Sequence, residues 1–553
     1  MGIFFASKAE KERDARLAET QRSQAAAADP GASAWVSANA GTGKTHVLTM
    51  RVLRLLLGGT PPERILALTY TKAAAAEMSK RVFARLAEWV TADEASLKRK
   101  LAQLIDRAPT NAELLWARQL FAIAIETPGG LKVQTIHAFC ERLLQRFPLE
   151  AGVPPGFVIL DEHERATLLR QSTDEMLAEA TAARHGPLWP ALRRAIAYAV
   201  NEGFDGVLQQ ALADRDGSLR PLDEMELVAL EARLRATFGV RTGVTGDAFV
   251  AELSETCAEE LLPLLVSALR AGSKTDLEQA QYLQSAIGAG SPNRRVEALA
   301  DFFLVGGKKP RDRLATKKVA DASRDLMERA KSAQDRFVAL HGEHKGLMVV
   351  EATMALLRLG GDVLTRYRHA KARNAALDFE DLVGRAASLL ASSGAVDWVL
   401  YKLDGGLDHI LVDEAQDTSP AQWNVIRALA EEFFSGSGAR DVARTLFAVG
   451  DEKQSIYSFQ GAAPTMFADM GEKFAQQASR AGLQLRRVPL TLSFRSVEPL
   501  LAAVDGVFAD RTRTAGLTAV ATPILHVAHR VGHAGLVEIW QTEKAEDAEP
   551  AEP

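Results

Sequence analysis

Residues 38–46 read Ala38-Asn39-Ala40-Gly41-Thr42-Gly43-Lys44-Thr45-His46, a small-residue loop that ends in a lysine and a threonine. Gly41 and Gly43 free the backbone to turn N–H groups inward onto the β- and γ-phosphates of a nucleotide. Lys44 would reach the terminal phosphates, and the Thr45 hydroxyl would ligate Mg²⁺. Ala38 stands where such loops usually begin with glycine. A second group is Asp413-Glu414. Asp413 can hold Mg²⁺ through water, and Glu414 can polarise an attacking water. Acidic pairs at strand ends are common, but this one shares a chain with a phosphate loop.

These groups need a strand, a turn and a helix to hold them. Ala34-Trp35-Val36 is a short apolar strand, and Val47, Leu48, Val52, Leu53, Leu55 and Leu56 follow the loop at helical spacing. Ile65–Thr69 is a second strand. It leads into Tyr70-Thr71-Lys72 and a helix from Ala73, so hydroxyls, an aromatic ring and a cation reach the carboxyl edge of a sheet, where open α/β sheets bind ligands. Residues 131–149 repeat the design, with His137 and Phe139 after the strand. Taken alone, His137 reads as a satisfied core histidine. His409–Val412 is the strand that delivers Asp413 and Glu414. Phe447–Asp451 is a further strand, with Gln454, Tyr457 and Phe459 just beyond it. Those rings offer stacking platforms for single-stranded bases, or else fill a core. Residues 490–496 read as one last strand, whose Arg495 could meet a phosphate.

Residues 8–28 form a charged, then Ala-rich helix that must stop at Asp29-Pro30. Gln24, near its end, can read an adenine edge with its amide or lie on a solvated helix face. Residues 161–374 are rich in Ala, Leu, Glu and Arg at helical spacing and read as a helical insertion. Within it, Lys308 to Arg336 is strongly basic. A basic helix is usually a solvated face, whereas Gly306–Pro310 is loop-like and suited to phosphate contact.

At 553 residues the sequence has room for several domains. Hydrophobic residues make up 47% and charged residues 25%, which permits large cores. The net charge of −5 excludes binding nucleic acid through bulk charge and leaves only a local groove. The two cysteines, Cys140 and Cys257, form no metal motif or disulfide framework, which suits a reducing cytoplasm. No apolar run of about 18 residues suggests a membrane span. The opening residues lack the pattern of a secretory signal. From Glu543 onward the composition is acidic and rich in Pro and Ala, as in a linker or tail.

The strings SANAGTGKTHVLT, ALTYTKAAAAEM, VQTIHAFCERLL, LDFEDL, LVDEAQDTSPAQW, VGDEKQSIYSFQGA and LTLSFRS resemble, in order and register, the superfamily 1A DNA helicases of the UvrD/Rep/PcrA type. Within these they are most similar to the AddA subunits of bacterial AddAB helicase–nucleases. The resemblance implies an α/β fold. A RecA-like P-loop NTPase domain with a parallel sheet would carry a large all-helical insertion and be followed by the beginning of a second RecA-like domain. Residues 1–160 and 375–490 would form domain 1A, 161–374 domain 1B, and 491–553 the start of domain 2A with an acidic tail. The likeness also implies ATP and Mg²⁺ as cofactors, with single-stranded DNA, duplex ends and an AddB-type nuclease as partners. It implies a cytoplasmic 3′→5′ translocase in double-strand-break repair.

Roles follow by position. Gln24 would recognise adenine, residues 38–46 would hold the nucleotide, and Thr45 and Asp413 would hold the metal. Glu414 would be the base and Gln454 the γ-phosphate sensor. Arg495 would contact the γ-phosphate, and Phe494 would stack on adenine in place of the more usual Tyr. Tyr70, Thr71, Lys72, His137, Phe139, Tyr457 and Phe459 would line the single-strand path. Gln460 departs from the arginine that many relatives carry. The later helicase motifs and a nuclease domain are not found after Arg495, so the chain looks like a fragment. It is expected to bind ATP, hydrolyse it slowly and not unwind duplex DNA alone. The competing reading is an ATP- and single-strand-binding module without turnover. A GTPase would need an Asn-Lys-x-Asp string, which is not found, and a kinase has no use for the Gln454–Tyr457 string.

Overall fold

The structure, a computed structural model, describes residues 8–199, 203–212, 220–391, 398–399, 402, 406–434, 442–457, 461–514, 516–517 and 524–541. It divides into two compact units, Met1–Asp161 with Ala372–Pro553, and Glu162–Lys371.

The first unit is built on a parallel sheet of β1 (Ser33–Ala38), β2 (Ile65–Thr69), β3 (Lys132–Thr135), β8 (His409–Val412), β9 (Thr445–Gly450) and β10 (Leu485–Leu490). Their spatial order is β10-β1-β9-β8-β2-β3. The central strands are almost wholly buried because helices cover both faces, so they read as unbroken apolar runs. Successive side chains alternate between two cores. Trp35, Leu66, Leu68, Ile410, Val412, Leu446 and Ala448 feed one. Ala34, Val36, Ile65, Ala67, Leu411, Phe447 and Val449 feed the other. Two short strands, β4 (Val158–Ile159) and β7 (Ala376–Leu377), pair in parallel where the chain leaves this unit and returns to it.

The helices of this unit begin with α1 (Lys8–Ala27), α2 (Lys44–Leu57), α3 (Lys72–Thr91), α4 (Glu94–Ile105), α5 (Asn111–Glu126) and α6 (Ile136–Arg146). Arg51 of α2 is fully buried and fastens the end of α1. Its guanidinium donates to the carbonyls of Ala27 (2.9 Å), Asp29 (2.8 Å) and Ala32 (2.6 Å), and to Thr445 Oγ1 (2.9 Å). Arg54, one turn on, donates to Ala25 O at 2.9 Å. The bonds to Ala25 O and Ala27 O satisfy carbonyls left open by the last turn of α1, and those to Asp29 O and Ala32 O hold the chain that follows it against the phosphate-loop helix.

The single strand expected over residues 490–496 is two strands. β10 ends at Leu490 and completes the main sheet beside β1. β11 (Leu492–Val497) pairs in parallel with β12 (Val527–Arg530) in a separate small sheet. The break at Thr491 redirects the backbone, and Leu490 O accepts the Asn39 N–H at 3.0 Å as β10 ends.

The second unit is mainly helical, ending in the long helix Arg324–Arg373, of 50 residues. Its core gathers Phe302, Phe303, Phe337 and, from helix Leu261–Arg270, Leu261, Leu262, Leu265 and Leu269. The expectation of an all-helical insertion needs one correction. Leu304–Val305 (β5) and Lys309–Pro310 (β6) form an antiparallel hairpin, closed by Gly306 and Gly307 at φ 57° and 67°. Two consecutive left-handed residues turn the chain tightly, which glycine allows without steric cost.

Candidate active site

The phosphate loop leaves β1 at Ala38 and ends where α2 starts at Lys44. Gly41 and Gly43 have φ of 74° and 92°, in the left-handed region that glycine accepts freely. Thr42 is buried, and its hydroxyl donates to Asn39 O at 2.8 Å, tying the loop to itself. Asn39 is half-buried and Ala40 exposed. Gly43 caps α2 with no side-chain hydrogen bond, and the first turn carries no acidic residue. No capping side chain or first-turn carboxylate thus competes with an anion for the N-terminal N–H groups of α2. Thr45 lies half-buried in that turn, and His46 is exposed beside it.

Gln24 of α1 is buried, and its Nε2 donates to Thr42 O at 3.1 Å. The structure thus sets Gln24 directly on the loop, and a solvated helix face does not describe it. Space is tight from the other side as well. A Cβ built on Gly41 would lie 2.6 Å from Arg495 Cβ and 2.9 Å from Ser493 Oγ. The Phe494 N–H donates to Gly41 O at 2.9 Å, and the Phe494 ring lies 5.1 Å from His529. Arg495 itself is exposed.

Lys44 and the carboxylates meet at the carboxyl edge of the sheet. Lys44 Nζ lies 2.8 Å from Glu414 Oε2, with the two side chains 10% and 38% exposed. Glu414 has φ 47°, a left-handed conformation that a side chain resists and that surrounding contacts must hold. Asp413 is buried. Burial, reinforced by the Glu414 carboxylate and opposed by Lys44, pushes its carboxyl up to about 6. A buried carboxylate with too little neighbouring positive charge suits a divalent cation. The donor set as a whole suits a polyphosphate with its metal ion.

Gln454 follows β9 and turns its amide onto Asp451, donating to Oδ2. Asp451 is buried and also pairs with Lys453 Nζ at 2.6 Å. Gln416, which the sequence did not single out, is buried between the ends of β8 and β9.

Further along the edge, the Tyr70 and Tyr457 rings lie 4.6 Å apart at an interplanar angle of 39°. Both are half-buried. Thr71 caps α3 by accepting the Ala74 N–H at 3.1 Å, and Lys72 is exposed beside it. His137 is half-buried, burial lowers its imidazole pKa, and its ring meets the exposed Phe379 edge-on at 5.3 Å. Phe379 lies in the LDFEDL string, but no residue-level signal marked it as a site residue. Phe139 is a correction: it is only 5% exposed and packs in the core with Leu143, Leu144 and Leu382. It falls on the buried face of α6 with Ile136, Cys140, Leu143 and Leu144, so it presents no ring to a ligand. Phe459 and Gln460 lie outside the described residues.

The profile of the UvrD/REP helicase N-terminal domain matches residues 18–475. The chain belongs to the UvrD/REP helicase family. This UvrD/REP member is similar to bacterial proteins whose names describe them as subunits of an ATP-dependent helicase/nuclease. Identity is 29% with that of Pelotomaculum thermopropionicum, across 86% of this chain and 37% of the relative. It is 30% with that of Desulforudis audaxviator, across 86% and 38%. It is 25% with that of Lactiplantibacillus plantarum, across 86% and 38%. The chain thus spans less than two-fifths of the length of these relatives. Among the described residues, no helix is long and apolar enough to cross a membrane.

Proposed function

We propose that this chain carries the ATP-hydrolysing machinery of a DNA helicase that moves 3′→5′ on single-stranded DNA. It would act on duplex ends in double-strand-break repair and recombination, partnered by a nuclease of the AddB type. Residues 1–160 and 375–490 would be domain 1A, 161–374 domain 1B, and 491 onward the start of domain 2A. The observation that carries this reading is the pairing of Lys44 with Glu414 at the same sheet edge as the Tyr70–Tyr457 ring pair. One edge holds a polyphosphate site and an aromatic platform suited to stacked bases.

In this reading the loop N–H groups and Lys44 hold the phosphates of ATP, and Gln24 meets the adenine edge with Phe494 stacking on the base. Thr45 and Asp413 would hold Mg²⁺, which when bound neutralises charge on the phosphates. Glu414 orients the attacking water and takes its proton. Arg495 approaches from beside Gly41 to meet the γ-phosphate. Tyr70, Tyr457 and His137 contact the single strand, with Thr71 and Lys72 at its phosphates. On the helical unit, Lys308, Lys309, Arg313, Lys317 and Lys318 are exposed, which supports phosphate contact there too.

The test is ATP hydrolysis with and without a single-stranded oligonucleotide, with Glu414→Gln as the inactive control. Turnover that rises with the oligonucleotide and vanishes in the variant is expected. Turnover indifferent to both overturns the reading.

A further inference from the structure

Gln416 joins the carboxylate end of β8 to the segment that follows β9. Its Nε2 donates to Glu414 Oε2 at 2.8 Å and to Asp417 Oδ2 at 3.1 Å. Its Oε1 accepts the Asp451 N–H at 2.9 Å. The backbone donor at Asp451 fixes which end of the amide faces it, so the NH₂ end must face the carboxylates. Only a side chain with one donor arm and one acceptor arm serves both sides at this span. The side chain is 1% exposed, so neither arm has solvent as an alternative partner.

The backbone makes room for this bridge. A Cβ built on Gly450 would lie 2.7 Å from Gln416 Oε1 and 3.1 Å from Gln416 N. Beyond Asp451 the connection continues, because Gln454 Nε2 donates to Asp451 Oδ2 and the Gln454 N–H to Asp451 O at 2.9 Å. Tyr457, whose ring lies against Tyr70, is three residues further on.

We propose that Gln416 is a positioning residue that couples Glu414 to the 451–457 segment, so that the state of the nucleotide site and the seating of Tyr457 on single-stranded DNA depend on each other. This rests on the reading of Glu414 as the base and of the tyrosine pair as a DNA contact. Glu414 Oε2 is shared by Lys44 and Gln416. When Lys44 turns to phosphate, Gln416 remains as the partner of Glu414 and holds the carboxylate in place. Any shift of that carboxylate is carried through a rigid amide to the Asp451 N–H, and from there to Gln454 and Tyr457. The coupling runs through hydrogen bonds in series, fully buried where Gln416 accepts the Asp451 N–H and part-buried at Glu414 and Gln454.

The test compares wild type with Gln416→Met, which keeps the length and loses both arms, and with Gly450→Ala, which crowds Oε1 and removes no polar group. Both variants should bind a fluorescent ATP analogue within about threefold of wild type, while oligonucleotide-stimulated kcat falls about tenfold or more. Amide hydrogen exchange at Asp451 should speed up in both, and its response to nucleotide should be lost. A role limited to stability would lower binding and kcat together and leave no selective change at Asp451. Stimulated kcat within about twofold of wild type in both variants, or unchanged exchange at Asp451, overturns the coupling. Glu414→Gln is run beside them. Wild-type turnover in that variant overturns the assignment of the base, whereas an inactive Glu414→Gln beside a fully active Gln416→Met overturns the relay alone.

Discussion

Lys44 Nζ and Glu414 Oε2 lie 2.8 Å apart although 370 positions separate them in the chain. β1 and β8, which deliver them, are not neighbours in the sheet, since β9 runs between them. The lysine that would hold phosphate is thus held by the carboxylate that would orient water. An incoming triphosphate competes with Glu414 for the Lys44 ammonium, an exchange of one charge-assisted partner for another.

That pairing separates the roles of the two residues. Lys44→Ala should weaken Mg·ATP binding about tenfold or more, because it removes the cation facing the phosphates. Glu414→Gln should bind Mg·ATP at least as tightly as wild type, because Lys44 is released, and should lose turnover. A fluorescent-nucleotide titration with a parallel phosphate-release assay measures both. Equal loss of affinity in the two variants would contradict this division.

Tyr70→Ala and Tyr457→Ala should each weaken binding of an oligo-dT strand by about 1–3 kcal/mol, as loss of a stacking ring does. Because the rings touch each other, the double variant should lose less than the sum of the single losses. Fluorescence anisotropy reads the affinities. Unchanged affinity in both single variants would assign the pair to internal packing.

Metal affinity should depend on pH through Asp413. Burial raises this carboxyl to about 6, so a proton occupies it at pH values where an ordinary aspartate is already ionised. As pH falls from 7.5 through about 6, protons compete with Mg²⁺ at Asp413 and the Mg²⁺ concentration for half-maximal nucleotide binding should rise. Isothermal titration across that range checks it. A flat profile down to about pH 5 would place Asp413 in the normal aspartate range.

Arg51→Met should destabilise the first unit by about 3 kcal/mol, because removing the fully buried guanidinium leaves its carbonyl partners unpaired. Burial lowers the Arg51 pKa to about 9, so it remains charged at neutral pH, and its ring contact with Phe447 at 5.2 Å adds to its hold. Urea unfolding of wild type and variant gives the difference. A change below about 0.5 kcal/mol would make the clamp incidental.

Some of this molecule was legible in its residues alone. The phosphate loop could be read because glycine, lysine and threonine act there through local backbone geometry. The strands at Ile65–Thr69 and His409–Val412, and the one read at Phe447–Asp451 that the structure sets at Thr445–Gly450, could be read because burial on both faces leaves unbroken apolar runs. Asp413 and Glu414 followed from their place at the end of such a run, and the helical character of residues 161–374 from its periodicity.

Other features were decided only by the tertiary structure. The pairing of β10 with β1, the break at Thr491 and the separate β11–β12 sheet depend on long-range registers that local pattern does not encode. Phe139 and His137 are two residues apart on one helix, yet one enters the core and the other meets Phe379, because the rotation of the helix in its packing sets the buried side. Gln416 and Arg51 are polar residues inside the protein. Burial of polar groups is tolerated only where partners from distant segments converge, and that convergence exists only once the strands and helices have packed.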